Sequence, residues 1–531
     1  MTTAAAPSLG RASALGALGT VGSRATGFIR TVVVAAALGT GGFGQAYAVA
    51  QTLPFIVYDL LLGGILSAVV VPVLVRAHAE DDDGGVAFTQ ALLSTAAAAL
   101  TAVTVVAVLA APLVIGIYLD PSVPAADRAK AILFARFFLP QLLFFALTAL
   151  AGAVLTTRGR FGRDTVVPVL NNLVVVATAV VFVLLPGPTG PPQSATVTRA
   201  QVLTLAIGTT LGVVVMAVAL MPSLRQVGVR WRWRFDLPRE RLVTAARLAG
   251  WVAVSVVVAQ LGLAVVIRLA GAKTGYATYS YAYQLFQLPY AIVGVSVVAA
   301  LLPAMSRHAT AGRTDLLRAE VSRGLRLAGV LVVPAALGLA ALAVPLATAT
   351  FHGSSGGDRA VLIGRTLAVF ALGLVPFTVQ QLLLRSFYAA SDSRTPALLT
   401  AFVTAVLIAF DVGIAASLSG PERVVGLAGG FAGAYVVGAV ATAALVRRRL
   451  GGRGRRVARL YVRVTLISLV AVGAGWLAAR GAGAVLSGTP GALAGLVLAA
   501  LVATPLYLAG VRALRVRELD PLLAPLRRRL G

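Results

Sequence analysis

The stretch TVGSRATGFIRTVVVAAALG, residues 20–39, decides how the chain folds. Ala, Val, Gly, Thr, Ser and Phe make up almost all of it, yet it carries Arg24 and Arg30. Its length and apolar character suit a helix crossing a hydrocarbon core of about 30 Å at about 1.5 Å per residue. Lipid rejects a guanidinium: an Arg at the centre of a membrane helix costs roughly 2.5–3.5 kcal/mol on insertion scales. The two arginines therefore predict a helix that spans the membrane and also faces water.

The rest of the chain supports the membrane reading. It has 531 residues, of which 59% are hydrophobic and 12% charged, and its mean hydropathy is +0.91. A water-soluble chain this apolar has too little polar material to cover its surface. Short alternating segments of the kind that build a transmembrane barrel are absent. The fold class expected is all-α: a polytopic membrane protein of about fourteen spans. Their approximate limits are 13–38, 45–77, 86–118, 130–156, 165–186, 198–222, 242–270, 276–305, 324–351, 360–390, 396–418, 424–446, 461–486 and 491–511. With no Cys, disulfides and thiol chemistry are excluded. Residues 1–10 are short, polar and Pro-containing, which does not resemble a cleavable leader.

The formal net charge of +27 reads as topology rather than as nucleic-acid binding. One set of loops includes TTRGRFGRD, RQVGVRWRWRFDLPRER, SRHATAGRTDLLRAEVSRGLR and RRRLGGRGRRVARLYVR, with the basic tail. That set and the N-terminus carry about thirty Lys and Arg. The alternating set, such as YLDPSVPAADRAK and FHGSSGGD, carries about six. The positive-inside rule then places both termini in the cytoplasm and the chain in the plasma membrane as a multi-pass protein.

A repeat runs through the chain. QTLPFIVYDLLLGGILSAVVVPVLVRAHA (51–79) is similar to FQLPYAIVGVSVVAALLPAMSRHATA (286–311). Each has Gln, then Leu-Pro, an apolar stretch, a second Pro, and an Arg four residues later, Arg76 or Arg307. The copies fall in the second and eighth spans. An even offset means they run the same way, as in transporters with two similar lobes. The expected domains are 1–222 (six helices), 223–449 (six helices), and 450–531 (two helices and a basic cytoplasmic tail).

Several polar side chains lie inside spans. Arg24 falls near mid-depth and Arg30 closer to the outer side, roughly 120° apart around the helix. Asp59 lies in a stretch interrupted by Pro54 and by Gly63-Gly64, where carbonyls lose their helical donors. Gln260, Arg268, Gln284, Gln287, Gln380, Gln381 and Arg385 are further candidates for a polar cavity or for bonds between helices. Asp411 and Arg480 lie nearer helix ends and read as structural. A cavity with more Arg than acid suits an anion, since guanidinium binds phosphate through paired hydrogen bonds. His78, His308 and His352 have no metal-ligand spacing, EDDD (80–83) reads as a solvated turn, and no Walker, Ser-His-Asp or HExxH pattern occurs. No enzyme activity, cofactor or metal is expected, beyond a coupling cation or the membrane potential.

SRATGFIR (23–30) resembles the first-helix motif of the MurJ (MviN) lipid II flippase family, within the multidrug/oligosaccharidyl-lipid/polysaccharide exporter superfamily. LPFIVYDLLLGGILSAVVVPVL (53–74), YAYQLFQLPYAIVGVSVVAALLPAMSRHA (281–309) and FYAASDSRTPALL (387–399) are similar to its second helix, its eighth helix and its tenth-to-eleventh loop. The VYDLLLGG variant is similar to actinobacterial members. The resemblance implies two six-helix lobes, two final helices forming a groove for a lipid tail, and lipid II as the cargo of alternating access. It carries the family's first-helix cavity arginines onto Arg24 and Arg30. Thr31 and Gln45 stand where many members have Asp, Tyr58 and Asp59 where an Arg pair is common, and Gln284 where an Arg is frequent. Arg268 or Arg385 is then expected to supply the missing positive charge. The implied partners are lipid II, membrane lipids, and cytoplasmic regulators or cell-wall synthesis proteins, with no nucleic acid. Two other readings stay open: export of drugs or another lipid-linked oligosaccharide, and a membrane scaffold that recruits cytoplasmic partners.

Overall fold

The structure, a computed structural model, describes residues 9–60, 70–158, 160, 163–187, 192–237, 239–271, 275–355, 357–452, 454–486, 488–516 and 518. All the regular structure among them is helical. Nine described helices are long and apolar enough to cross a membrane, or ten if the bent pair at 357–389 forms one span. Where their residues are described, the expected spans fall mainly on helix, several of them interrupted by short turns such as those at 110, 139–140, 219–220, 342 and 373.

By contact the chain divides into two compact units, Met1–Ala277 and Thr278–Gly531. The first holds α1 (Leu9–Leu38), α2 (Gly42–Leu60), α3 (Val71–Glu80), α4 (Val86–Leu109), α5 (Ala111–Tyr118), α6 (Ala125–Phe138), α7 (Gln141–Thr157), α8 (Arg163–Leu184), α9 (Arg199–Val218), α10 (Met221–Gln226) and α11 (Arg239–Leu269). Helix α1 packs along α8, α8 along α9, and α2 against α6 and α7. The seventh-span helix α11 packs on α2 and α5 within this unit.

The second unit begins within α12 (Gly275–Pro289) and continues through α13 (Val295–Thr310), α14 (Thr314–Ala341), α15 (Ala343–Ser355), α16 (Gly357–Leu372), α17 (Leu374–Ala389), α18 (Arg394–Ser417), α19 (Gly420–Leu450), α20 (Arg455–Val485) and α21 (Gly488–Ala513). Here α18 and α17 pack on α19, α20 on α14, and α21 on both α20 and α15. Residues 450–513 are thus compact with this unit.

Proline places several of the breaks. A Pro has no amide hydrogen and its ring crowds the carbonyl four residues back. Pro112 follows the α4–α5 junction, Pro345 follows α14–α15, and Pro376 follows the 46° bend between α16 and α17. In the second copy of the repeat, Pro289 ends α12 and the backbone widens into a π-helical turn, Tyr290–Gly294, before α13. Such turns are rare and recur at functional sites. In the first copy α2 contains Pro54, while Gly63 and Gly64 lie outside the described residues.

Helices in lipid gain little from hydrophobic burial against one another; small residues and polar bonds hold them together. Both devices are present. Gly475 and Gly495 let α20 and α21 touch: a Cβ on Gly475 would stand 2.9 Å from the Ala499 carbonyl. On the α18–α19 seam, a Cβ on Gly430 would stand 2.0 Å from Asp411 Oδ1. Gly426, Gly430 and Ala434, four residues apart on α19, give the close approach that small residues allow.

The polar bonds answer particular deficits. Pro334 lies inside α14, so the Val330 carbonyl, four residues earlier, has no helical amide to accept from. The Tyr507 hydroxyl on α21 donates to that carbonyl. Tyr461 on α20 donates to the Leu325 carbonyl at 3.0 Å, in space that Gly329 leaves open. Two tyrosines thus pin the last two helices to α14. In the first unit, the Asn172 amide of α8 donates to the Ser23 carbonyl (3.2 Å) and to Thr26 Oγ1 (3.0 Å) of α1, with Gly27 beside it.

Two stability predictions follow from these bonds. Tyr507→Phe orphans the Val330 carbonyl and lowers stability by about 1–3 kcal/mol. Pro334→Ala supplies an amide, so Tyr507→Phe costs much less in that background; equal loss in both backgrounds, read by denaturant unfolding of the purified protein, refutes the pairing. Asn172→Ala, which removes the amide clasp on α1, costs about 1 kcal/mol and lowers the unfolding temperature, whereas the adjacent exposed Leu173→Ala leaves it nearly unchanged.

Candidate functional site

The first unit presents its candidate groups on α1 and α2. Arg24 lies halfway along the 30-residue α1, about 22 Å from either end. Its side chain is exposed, and no hydrogen bond or ion pair joins it to a described residue. The residues one position before and two after it, Ser23 and Thr26, hold the Asn172 clasp. Helical geometry turns Arg24 about 100° away from Ser23. One face of α1 is therefore committed to α8, and Arg24 projects from another. Arg30 is half-buried and stands within electrostatic reach of the Tyr47 phenol on α2.

Tyr47 belongs to an aromatic cluster. Its ring meets Phe134 and Phe138 of α6 edge-on at 5.5 and 5.3 Å, and its hydroxyl shares a 3.0 Å hydrogen bond with Thr209 of α9. Along α2 the other polar groups also find helix partners. Gln45 Nε2 donates to the Gly271 carbonyl at 3.0 Å, just past α11, and Gln45 is buried. Gln51 Nε2 reaches Gln141 Oε1 at 3.5 Å, and Gln141 Nε2 donates to Thr210 Oγ1 at 3.0 Å. Thr52 and Tyr276 share a 2.8 Å bond. Gln45 thus joins α2 to the end of α11. The side chains of Tyr58 and Asp59 lie outside the described residues.

Arg268 is exposed near the end of α11 and within electrostatic reach of Asp120, in the loop between α5 and α6. The Asp120 carboxyl is held below its usual range chiefly by the Ser122 hydroxyl and amide, with Arg268 and Arg128 adding to the effect. Arg268 thus lies at the loop end of its helix.

In the second unit Arg385 on α17 is half-buried. It stands within electrostatic reach of the Tyr290 phenol at the π-helical turn and lies 5.8 Å from the Tyr388 ring centre. Tyr290 packs edge-on against Phe377 at 4.8 Å, and Phe377 against Tyr435 at 4.9 Å. The break after Pro289 and the α17 arginine thus meet at one place, with aromatic rings around the guanidinium. Gln284 is half-buried, with Nε2 3.4 Å from Ser280 Oγ. Gln380 is buried near Gly438.

Sequence reasoning passed over Asn171, Asn172, Gln141 and Thr209. The adjacent amides inside VPVLNNLVVV (167–176) were the available signal. It also set Asp411 aside as structural. That carboxylate is wholly buried against α19, and neither oxygen has a hydrogen-bond partner among the described residues.

The sequence profile of the family described as lipid II flippase MurJ matches residues 34–488. A probable lipid II flippase MurJ of Rhizobium meliloti (strain 1021) is 27% identical over 481 residues, spanning 86% of this chain and 85% of its own. The lipid II flippase MurJ of Burkholderia cenocepacia is 29% identical over 390 residues, 70% of this chain and 72% of its own. Among solved structures, a lipid II flippase MurJ in an inward closed conformation has a TM-score of 0.75 at 18% identity, covering 94% of this chain and 99% of its own. An inward-facing multidrug resistance MATE family transporter of the MOP superfamily has a TM-score of 0.65 at 17% identity, over 80% and 94%. The structural likenesses show a shared fold, and the profile, which covers most of the chain, shows the family: this is a polytopic membrane protein that belongs to the lipid II flippase MurJ family.

Proposed function

We propose that the chain is a lipid II flippase: it carries the diphosphate-sugar headgroup of a polyprenyl-linked peptidoglycan precursor from the cytoplasmic to the outer leaflet by alternating access. The observation that carries this reading is Arg24. A guanidinium that is exposed and unpaired among the described residues, at the midpoint of a 30-residue helix, is unstable against acyl chains. It is stable where water or an anion meets it. A diphosphate supplies two phosphoryl groups, each able to take the paired hydrogen bonds that guanidinium offers.

Arg30 adds a second positive charge about 9 Å further along the same helix. Arg385, with its hydroxyl and ring neighbours, supplies a cation in the second unit, at the place where the helix is interrupted. Arg268, beside the Asp120 loop, is less suited to that task. In the orientation the loop charges favour, both termini are cytoplasmic. Membrane potential or a cation gradient drives the cycle, since one charge moved through 100 mV is worth about 2.3 kcal/mol. The polyprenyl tail stays in lipid, beside the outward apolar residues of the last two helices, such as Leu466, Val470, Leu477 and Leu501.

The test is complementation of a flippase-depleted strain, scored by lipid II reaching the outer leaflet. Arg24→Ala is expected to lower translocation at least tenfold at equal expression and unfolding temperature. Arg24→Lys retains the charge without the planar fork and is expected to fall between. Wild-type translocation by Arg24→Ala overturns the role given to Arg24. Failure of the wild-type chain itself to translocate lipid II overturns the substrate assignment.

A further inference from the structure

The segment between α10 and α11 has a property that headgroup transport does not use. Residues 229–237, VRWRWRFDL, run irregularly, with apolar and basic residues in strict alternation up to Phe235. Extended backbone sends successive side chains to opposite sides. The rings confirm one aromatic side: Trp231 and Trp233 lie 5.4 Å apart edge-on, and Trp233 stacks on Phe235 at 6.2 Å. Arg230, Arg232 and Arg234 occupy the alternate positions, and all three are exposed.

The segment is anchored, not loose. Gln90 Nε2 donates to the Arg230 carbonyl at 2.8 Å, Ser94 Oγ donates to the Arg232 carbonyl at 3.1 Å, and the Arg234 amide donates to Ser94 Oγ at 3.2 Å. Gln90 and Ser94 are buried, one turn apart, in the first turns of α4, which is itself an apolar span. Val229 is buried in the first unit's core, and Trp231 and Leu237 pack against it. Beyond that anchorage the aromatic row runs out into the open: Trp233 is 64% exposed and Phe235 63%.

The charges are not all equivalent. Arg234 pairs with Asp236 at 2.9 Å and stands near Asp83. Arg230 and Arg232 form no ion pair with a described residue. Two uncompensated guanidinium groups and two exposed aromatic rings are thus fixed along the end of a membrane-spanning helix. Tryptophan and other aromatic rings favour the headgroup level of a bilayer, and Arg near an anionic leaflet is drawn to its lipid phosphates.

We propose that residues 229–237 form a lipid-binding strip that takes the headgroups of anionic phospholipids. Trp233 and Phe235 lie at the boundary between headgroups and acyl chains, and Arg230 and Arg232 bind lipid phosphates. The strip holds the cytoplasmic end of α4 at a set depth and makes the protein respond to the anionic lipid content of its membrane. The exposed rings favour a bilayer over a soluble anion, because a free phosphate offers nothing to cover them.

The experiment uses the full chain in nanodiscs of phosphatidylcholine alone or with 30% phosphatidylglycerol. Wild type is expected to unfold several degrees higher with phosphatidylglycerol, and the gain shrinks between 50 and 500 mM salt as charges are screened. Arg230→Gln/Arg232→Gln is expected to match wild type in phosphatidylcholine and to lose at least half of the gain, while Arg230→Lys/Arg232→Lys keeps most of it. A local readout needs no charge variant: with Trp231, Trp251 and Trp476 replaced by Phe, Trp233 fluorescence is quenched by chain-brominated lipid, more by brominated phosphatidylglycerol than by brominated phosphatidylcholine. The proposal is overturned if wild type shows no phosphatidylglycerol gain, if the Gln variant keeps the gain in full, or if Trp233 is unquenched or quenched equally by the two lipids. It is also overturned if inorganic phosphate at matched concentration reproduces the gain in phosphatidylcholine discs, which marks a free-anion site.

Discussion

Inside a bilayer no water is available to a stray carbonyl or amide, and this constraint governs the rest of the structure. The chain breaks its own helices with proline, and each break leaves a backbone acceptor to be satisfied. Pro334 removes the donor for the Val330 carbonyl, and Tyr507 from α21 supplies one. The bond does two things at once. It satisfies a group that lipid cannot, and it decides where the last helix docks. Tyr461 adds a second bond from α20 to the Leu325 carbonyl of the same helix. The docking of the final helix pair thus follows from a deficit inside α14.

Polar side chains within the spans separate on the same criterion. Gln45, Gln141, Asn172, Thr209 and Thr210 close bonds between helices, so their polarity is spent on packing. Arg24 has no such partner on any described residue. The fold leaves this charge unsatisfied next to a turn that it clasps firmly, which is why the proposed function gives Arg24 to the headgroup. Asn172 in this view is a positioning residue: it fixes the face of α1 opposite α8 and with it the direction from which Arg24 projects.

The interruption after Pro289 has a similar logic. A π-helical turn displaces backbone and side chains out of helical register, and here it brings the Tyr290 side chain to Arg385. SRATGFIR, just before the profile match, and the Leu-Pro repeat within it are where helices depart from ideal lipid-facing behaviour.

The class of protein, its all-helical build and the oddity of Arg24 were legible in the residues alone. Hydropathy is a local property, and a bilayer of fixed thickness converts it directly into helix length. The count of fourteen spans rests on the sequence, because part of the second span, including Gly63 and Gly64, lies outside the described residues. Partners were not legible. Nothing near Tyr507 announces Val330, 177 residues away, and nothing near Asn172 announces Ser23, 149 away. The basic loop read as a topology signal, but only its seam with Gln90 and Ser94 turned it into an ordered row of rings and guanidinium groups. Hydropathy treats all apolar neighbours alike, whereas close approach at glycine and single polar bonds select one neighbour. Those selections depend on pairs of distant residues, and tertiary structure alone decided them.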